Sequence, residues 1–151
     1  MNINYRKATE NDAKSLYDLG VLFNTYNLDH THKDDLFWDG WEKDIPDEIK
    51  EELINPMYHI YIAETDNKIL VGYILAKICT HCRNFEIDQL FVIEKYRKNK
   101  IGKGLVDLII AAGKELDIPL QLEVYKTNKQ AIQFYEKYGF KEDGVILRLK
   151  V

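Results

Sequence analysis

The stretch Gln89–Leu105, QLFVIEKYRKNKIGKGL, runs an apolar strand pattern into a basic, glycine-containing turn and then into a helical pattern. That order builds a cradle for a pyrophosphate. The first amide N–H groups of a helix have no partner within it, and the helix dipole favours an anion at that end. Arg97, Lys98, Lys100 and Lys103 add positive charge, while Gly102 and Gly104 leave the backbone open to close approach. The expectation is a nucleotide-bearing ligand on a strand–turn–helix junction.

The flanking sequence sets the fold class. Upstream, Asn2–Lys7 reads as a strand, and Thr9-Glu10-Asn11-Asp12 offers capping residues before Ala13, Leu16, Leu19 and Phe23 at helical spacing. Between Asn27 and Pro56 the pattern is mixed, with a second helix expected from Asp47 to about Ile54. From Tyr58 the period changes, giving strands over Tyr58–Glu64, Ile69–Ile78 and Phe85–Val92, with Asp66-Asn67 as a hairpin turn. Downstream, a helix over Ile101–Leu116 is broken by Asp117-Ile118-Pro119. A strand over Leu120–Val124 and a helix over Lys129–Tyr138 follow, and Gly139 stops that helix. Phe140–Glu142 and Val145–Leu149 are expected to close the sheet as strands around Asp143-Gly144. The alternation of elements predicts one α/β domain over residues 1–151.

Composition narrows the partners. The chain has 151 residues, 46% hydrophobic and 30% charged, in the range of ordinary globular proteins. With 21 basic against 25 acidic residues the net charge is −4, which argues against a general nucleic-acid binder and makes the Lys95–Lys103 run a local feature. No apolar stretch is long enough to span a membrane, and the N-terminus has no signal-peptide core. Cys79 and Cys82 form a single C-x-x-C with no second ligand pair for zinc, and the following Arg83 breaks the haem-attachment pattern. No metal site is expected. A thiol pair in a strand turn, in a reducing cytoplasm, is the plain reading.

Two blocks then carry a resemblance. V-x-x-x-Y-R-x-x-K-I-G-x-x-L spans Val92–Leu105, and L-E-V-x-x-x-N-x-x-A-x-x-F-Y-x-x-x-G-F spans Leu122–Phe140. In this order, and with this succession of elements, the chain resembles the GNAT superfamily of N-acetyltransferases. The resemblance implies a single GNAT-like domain: a mixed, mostly antiparallel twisted sheet of about seven strands flanked by about four helices. It implies acetyl-CoA as the acetyl donor. The pyrophosphate would rest on the backbone of Arg97, Lys98, Lys100, Ile101, Gly102, Lys103 and Gly104, with Arg97 and Lys100 able to reach phosphates. The main chain of Leu90, Phe91 and Val92 would pair with the pantetheine arm. Lys100 stands where the family's motif usually has its first glycine; a left-handed backbone there would cost a lysine about 1–2 kcal/mol.

The same resemblance gives roles to side chains. Asn128 matches an asparagine that contacts the cofactor, and its place before Lys129 also fits a helix cap. Tyr135 matches the usual general acid, which protonates the departing thiolate and also borders the cofactor. By residue pattern alone it belongs to an apolar stripe with Ala131, Phe134 and Tyr138, where core packing is the default. Asp88 falls where many relatives carry a glutamate base. Strand alternation places Glu86, Asp88, Leu90 and Val92 on one face, so Glu86 or Glu123 could substitute, and each could equally be a solvated or salt-bridged residue.

Acceptor binding in this superfamily falls largely to the helices after the first strand. Here Tyr26, Asp29 and Trp38 offer aromatic and anionic contacts for a cationic amine, with Glu123 from the late strand. The plainer reading of Trp38 and Trp41 is a helix anchored on the sheet. The expected activity is acetyl transfer to a small primary amine such as a polyamine, aminoglycoside or amino-acid derivative, by direct attack in a ternary complex. A protein N-terminus or lysine side chain is the alternative acceptor. A non-catalytic acyl-CoA sensor is the rival of another class, and a homodimer is compatible with either.

Overall fold

β-Branched and aromatic residues in the middle of the chain build a five-stranded sheet whose strands lie side by side in chain order. The computed structural model describes residues 1–30 and 40–149. The strands are β1 (Ile3–Lys7), β2 (Tyr58–Thr65), β3 (Leu70–Cys79), β4 (Asn84–Val92) and β5 (Leu120–Leu122). The first four pair antiparallel, and β5 joins β4 in parallel. Four helices flank them: α1 (Ala13–His30), α2 (Ile45–Ile54), α3 (Ile101–Leu116) and α4 (Lys129–Glu136).

The sheet divides two cores. On one face Leu16 and Leu19 of α1 and Ile45 and Ile49 of α2 pack on Ile60, Ile62, Tyr73, Leu75 and Phe91. On the other, Ile101, Leu105, Val106 and Ile109 of α3 and Tyr135 of α4 pack on Ala63, Val71, Ile74, Phe85 and Ile87. Gly104 allows α3 to lie close, since a Cβ there would come within 2.5 Å of the Tyr5 ring on β1. Its role is therefore packing against Tyr5. An ion-pair network fixes the entry to α1: Arg6 on β1 bonds both oxygens of Asp12 at 2.8 Å and reaches buried Glu64 at 3.1 Å. Lys68 caps the same Glu64 at 2.9 Å.

One departure concerns the expected seven strands. Residues 140–149 form no strand among the described residues, and Val145, Ile146, Leu147 and Leu149 stay largely exposed. Strand propensity needs a neighbouring edge to pair its backbone groups, and propensity alone does not create one. β5 is also shorter than its apolar run, ending at Leu122. α2 begins earlier than expected, with a proline in its first turn, where the missing N–H costs nothing. No described helix is long and apolar enough to cross a membrane.

A second departure lies within β4. Leu75 pairs with Gln89 and Ala76 with Ile87, so Asp88 is an extra residue, a β-bulge. The bulge resets the alternation. Phe85 and Ile87 face the α3/α4 core, but beyond it Leu90 and Val92 take that side and Phe91 turns to the α1/α2 core. Glu86, opposite Lys77, shares the α1/α2 side with neither Leu90 nor Val92. The expected common face for Glu86, Asp88, Leu90 and Val92 does not exist.

Candidate active site

The pairing of β4 with β5 ends at Ile87 and Leu122, while β4 continues to Val92. From Asp88 onward the β5-facing edge of β4 is open, and the chain after Leu122 leaves the sheet. An extended ligand can add to such an edge as a strand does. Leu90 turns its backbone groups to that edge, whereas those of Phe91 face Tyr73 on β3, in step with the bond from Ile93 N–H to the Val71 carbonyl, so the expected free edge at Phe91 is corrected. The carbonyl of Val92 is already taken, since Arg97 Nε donates to it at 2.8 Å.

The turn after β4 ends at the start of α3. Gly104 N–H bonds the carbonyl of Lys100 at 3.0 Å, the first bond of the helix. The amides of Ile101, Gly102 and Lys103 precede that bond and are the free donors of the first turn. Lys98 and Lys100 both adopt left-handed backbone, with φ of 68° and 60°. Lys100 thus takes the very conformation that favours glycine, at its cost of about 1–2 kcal/mol. Asn99, a residue the sequence reading passed over, closes the turn through its Nδ2 to the carbonyls of Tyr96 and Arg97 at 3.0 and 3.4 Å. An asparagine inside a basic turn is the signal that marks it.

The cations of this turn divide. Lys98 and Lys100 are exposed and make no ion pair among the described residues, so they fit an anionic ligand. Lys103 bonds Asp107 at 2.7 Å and lies over the Tyr138 ring. Arg97 is turned away altogether. Its guanidinium stacks on Tyr26 and on Phe91, on the α1/α2 side. The Arg97 side chain, expected to reach a phosphate, is engaged here by these two rings and by the Val92 carbonyl. Tyr26, expected at the acceptor, is occupied by the same stack.

Across the opening, α4 contributes Phe134, whose ring lies against Gly102, as does the Val92 side chain. Gly102 is thus covered by this ring. Tyr135 is buried among the α3/α4 core residues, with ring contacts to Phe134 and Phe140. Burial, and then Tyr138, push its hydroxyl well above the ordinary phenol range, so it stays protonated. Asn128 caps α4, its Oδ1 accepting from Ala131 N–H at 3.2 Å, a bond in which its NH₂ group takes no part.

The carboxylates separate into near and far. Asp88 sits on the bulge, and desolvation followed by the charge of Glu123 raises its pKa, against the opposing pull of Lys77. Its side chain touches solvent, yet surrounding protein crowds the carboxyl enough to penalise its charge. Glu123, one residue past β5, is within electrostatic reach of it. Glu86 lies in the closed part of the sheet, its carboxylate meeting Gln121 at 3.4 Å. The structure does not bring Glu86 to the opening. Asp29 is exposed near the end of α1, and Trp38 lies outside the described residues.

Sequence reasoning missed a cleft beside Asp88. Leu16, Gly20, Ile45 and Ile49 form apolar walls, and its polar lining includes Asn24, Glu48, Glu52, Tyr73 and Gln89. Tyr73 hydroxyl donates to Gln89 Oε1 at 2.6 Å. Glu52 titrates at about 7, raised by burial first and then by Glu48 and Asp88. Tyr73 is likewise pushed up by burial, with Glu52 and Asp88 adding. The signal in the sequence was the i, i+4 spacing of Glu48 and Glu52 beside buried Ile45 and Ile49.

No group of three metal-ligating side chains occurs among the described residues. Cys79 and Cys82 are free thiols at the β3–β4 turn, where Cys82 N–H donates to Cys79 Sγ at 3.1 Å, away from the opening.

Comparison with known proteins gives a family for this geometry. The model of the Acetyltransferase (GNAT) family matches residues 19–140. Human N-alpha-acetyltransferase 30 is 40% identical over 82 residues, covering 52% of this chain and 23% of that protein. This chain therefore spans about a quarter of that relative's length. The peptidyl-lysine N-acetyltransferase YjaB of Salmonella typhimurium is 28% identical over 146 residues, covering 95% of this chain and 87% of that one. The solved structure of AAC(6')-Iy with the bisubstrate analogue CoA-S-monomethyl-acetylneamine aligns with a TM-score of 0.79 at 16% identity, covering 100% of this chain and 99% of that one, a likeness of fold.

Proposed function

The chain belongs to the acetyltransferase (GNAT) family, and from that premise we propose that it transfers the acetyl group of acetyl-CoA directly to a primary amine, with one domain over residues 1–151 carrying the whole reaction. The observation that supports this most is the opening between β4 and β5, bounded by the free amides of α3 and by α4. Leu90 pairs with the pantetheine arm through its backbone. Ile101, Gly102 and Lys103 amides, with Lys98 and Lys100, hold the pyrophosphate. The NH₂ group of Asn128 reaches the same ligand from the start of α4.

The chemistry follows from protonation states. A primary ammonium has an unperturbed pKa of about 10.4, so the acceptor arrives charged and must lose a proton. Asp88, whose pKa is raised, accepts it, directly or through a water shared with Glu123. The amine lone pair attacks the thioester carbonyl carbon, and the C–S bond breaks as the tetrahedral intermediate collapses. Tyr135 gives its proton to the departing thiolate, a task suited to a phenol that burial keeps protonated. The nitrogen's second proton passes through water to the tyrosinate left at Tyr135.

For the acceptor we favour a small amine, because the cleft beside Asp88 is narrow and anionic. A protein N-terminus is the second reading, favoured by the 40% identity to an N-alpha-acetyltransferase. The two free cysteines fit a reducing cytoplasm. Release of CoA, followed by thiol titration over a panel of polyamines, aminoglycosides and peptides with free N-termini, tests the proposal. Turnover with a small amine supports the first reading, and turnover with peptides alone supports the second. Acetyl-CoA binding with no turnover on any of them would place the chain among sensors.

A further inference from the structure

The turn between β3 and β4 holds two thiols for which acetyl transfer has no use. Cys79 ends β3 and pairs with Asn84, the first residue of β4, so residues 80–83 form the turn. Arg83 closes it in left-handed backbone, with φ of 53°. Inside the turn Cys82 N–H donates to Cys79 Sγ at 3.1 Å. The backbone of His81 bonds the same sulfur, and the Cys82 side chain is a further partner. The Cys79 sulfur thus rests against the residue it would bond, and an S–S link of about 2.0 Å calls for side-chain rotation within the turn.

The two thiols are not equivalent. Lys77 on β3 acts on Cys79, and Glu86, opposite Lys77 in the strand register, acts on Cys82. The Cys82 side chain first, then the backbone N–H groups, with Lys77 adding, hold the Cys79 thiol below its ordinary range. Contact with Cys79 first, with Glu86 adding, pushes the Cys82 thiol up. Thiol–disulfide exchange needs this division, a sulfur that ionises readily beside one that keeps its proton. Cys82 is exposed and Cys79 partly so, so a small molecule reaches both. Among the described residues no third ligating side chain joins them, as a tetrahedral metal site would require.

We propose that Cys79 and Cys82 form a thiol–disulfide exchange site on the β3–β4 turn, which takes low-molecular-weight disulfides of the glutathione type. The Cys79 thiolate attacks one sulfur of the small disulfide, whose S–S bond breaks to release a first thiolate. Cys82 then gives its proton to solvent, and its sulfur attacks Cys79 Sγ. The mixed S–S bond breaks, a second thiolate leaves, and the Cys79–Cys82 disulfide remains. The protein loses two electrons and the small disulfide gains them, becoming two thiols that take up the protons given by Cys79 and Cys82. Donors around Cys79 stabilise the reduced state, so the disulfide is a labile one that thiols reverse. The turn lies at the closed end of β4, where Phe85–Ile87 pair with β5, and the site stands independently of the acetyltransferase reading.

The test exposes the reduced full chain to glutathione disulfide without air, quenches with acid and counts thiols and adducts by mass spectrometry. In the wild type both free thiols are lost, the chain is lighter by two hydrogen atoms, and no glutathione stays attached. Excess glutathione then returns both thiols. Cys82→Ser halts with a single glutathione on Cys79, because the resolving sulfur is gone. Cys79→Ser reacts several-fold more slowly than Cys82→Ser, and both variants melt cooperatively, as replacements in an exposed turn should. Two glutathiones on the wild type, a disulfide between chains, or equal rates for the two variants overturns the assignment. So does a Cys79–Cys82 disulfide that excess glutathione leaves intact.

Discussion

The guanidinium carbon of Arg97 lies 4.7 Å from the centre of the Tyr26 ring. Phe91 presents a second face at 5.6 Å, and the Val92 carbonyl accepts from Nε at 2.8 Å. One side chain therefore ties the turn before α3 to the last turns of α1. Arg97 acts as a strut between the turn before α3 and helix α1.

Replacing that strut should weaken the fold more than the donor site. Arg97→Ala loses a cation–π contact of about 0.5–2 kcal/mol and a hydrogen bond of about 1 kcal/mol, so urea unfolding should report a loss of roughly 1–3 kcal/mol. CoA affinity by calorimetry should change less than twofold. A tenfold loss of CoA affinity at unchanged stability would return Arg97 to the phosphates.

Lys100 separates strain from charge. Lys100→Gly relieves about 1–2 kcal/mol of left-handed strain but adds about 0.4–1 kcal/mol of unfolded-state entropy, leaving a net gain of at most ~1.5 kcal/mol. Lys100→Ala keeps the strain. Both should weaken CoA binding alike and lower its dependence on salt. Melting curves and CoA titrations at two ionic strengths read both effects, and equal stability of the two variants would show that the lysine is not strained.

Tyr135→Phe should cut kcat by about 10²-fold with CoA affinity intact. Since burial raises the Tyr135 pKa above its usual value of about 10, the alkaline limb of the wild-type pH–rate profile should lie beyond that point. Steady-state kinetics on whichever amine proves active decides it. An unchanged kcat in single-turnover experiments would leave the tyrosine a packing residue.

The Arg6 network makes a prediction about acid. Asp12 and Glu64 both have pKa values lowered in the folded state, with the Arg6 hydrogen bonds as the largest cause. A lowered folded pKa gives stability that is present above the unfolded value, near 4, and is lost as pH falls through the folded value. Wild-type stability should therefore decline below about pH 4, and Glu64→Gln should decline less steeply after an initial cost of about 2 kcal/mol at neutral pH. Urea midpoints at the two pH values measure this, and parallel slopes would remove Glu64 from the account.

Much of this was legible in the sequence, for identifiable reasons. The helical spacing of Leu105, Ile109 and Ala112 and the alternation of Ile60 and Ile62 report directly on burial, and the structure buries all of them. The basic turn was legible because left-handed backbone and unpaired amides follow from a strand meeting a helix. Three things were not legible. The bulge at Asp88 leaves no mark, since one extra residue in an apolar run looks like any other. Glu52 was hidden because helical spacing shows which residues share a face and not what that face meets. The closing strands failed because Val145–Leu149 have the propensity for a strand, and propensity does not decide whether a segment docks on a sheet edge.

The bulge also makes residue 88 unlike its neighbours under insertion and deletion. A substitution there changes one side chain. Deleting it would make Ile87 and Gln89 successive opposite Ala76 and Leu75, a regular register that keeps Leu90 and Val92 on the α3/α4 side and Phe91 on the other, whereas inserting a further residue would exchange them. At this point the chain can therefore lose a residue without disturbing either core, and what goes with it is the Asp88 carboxylate and the local kink at the open edge.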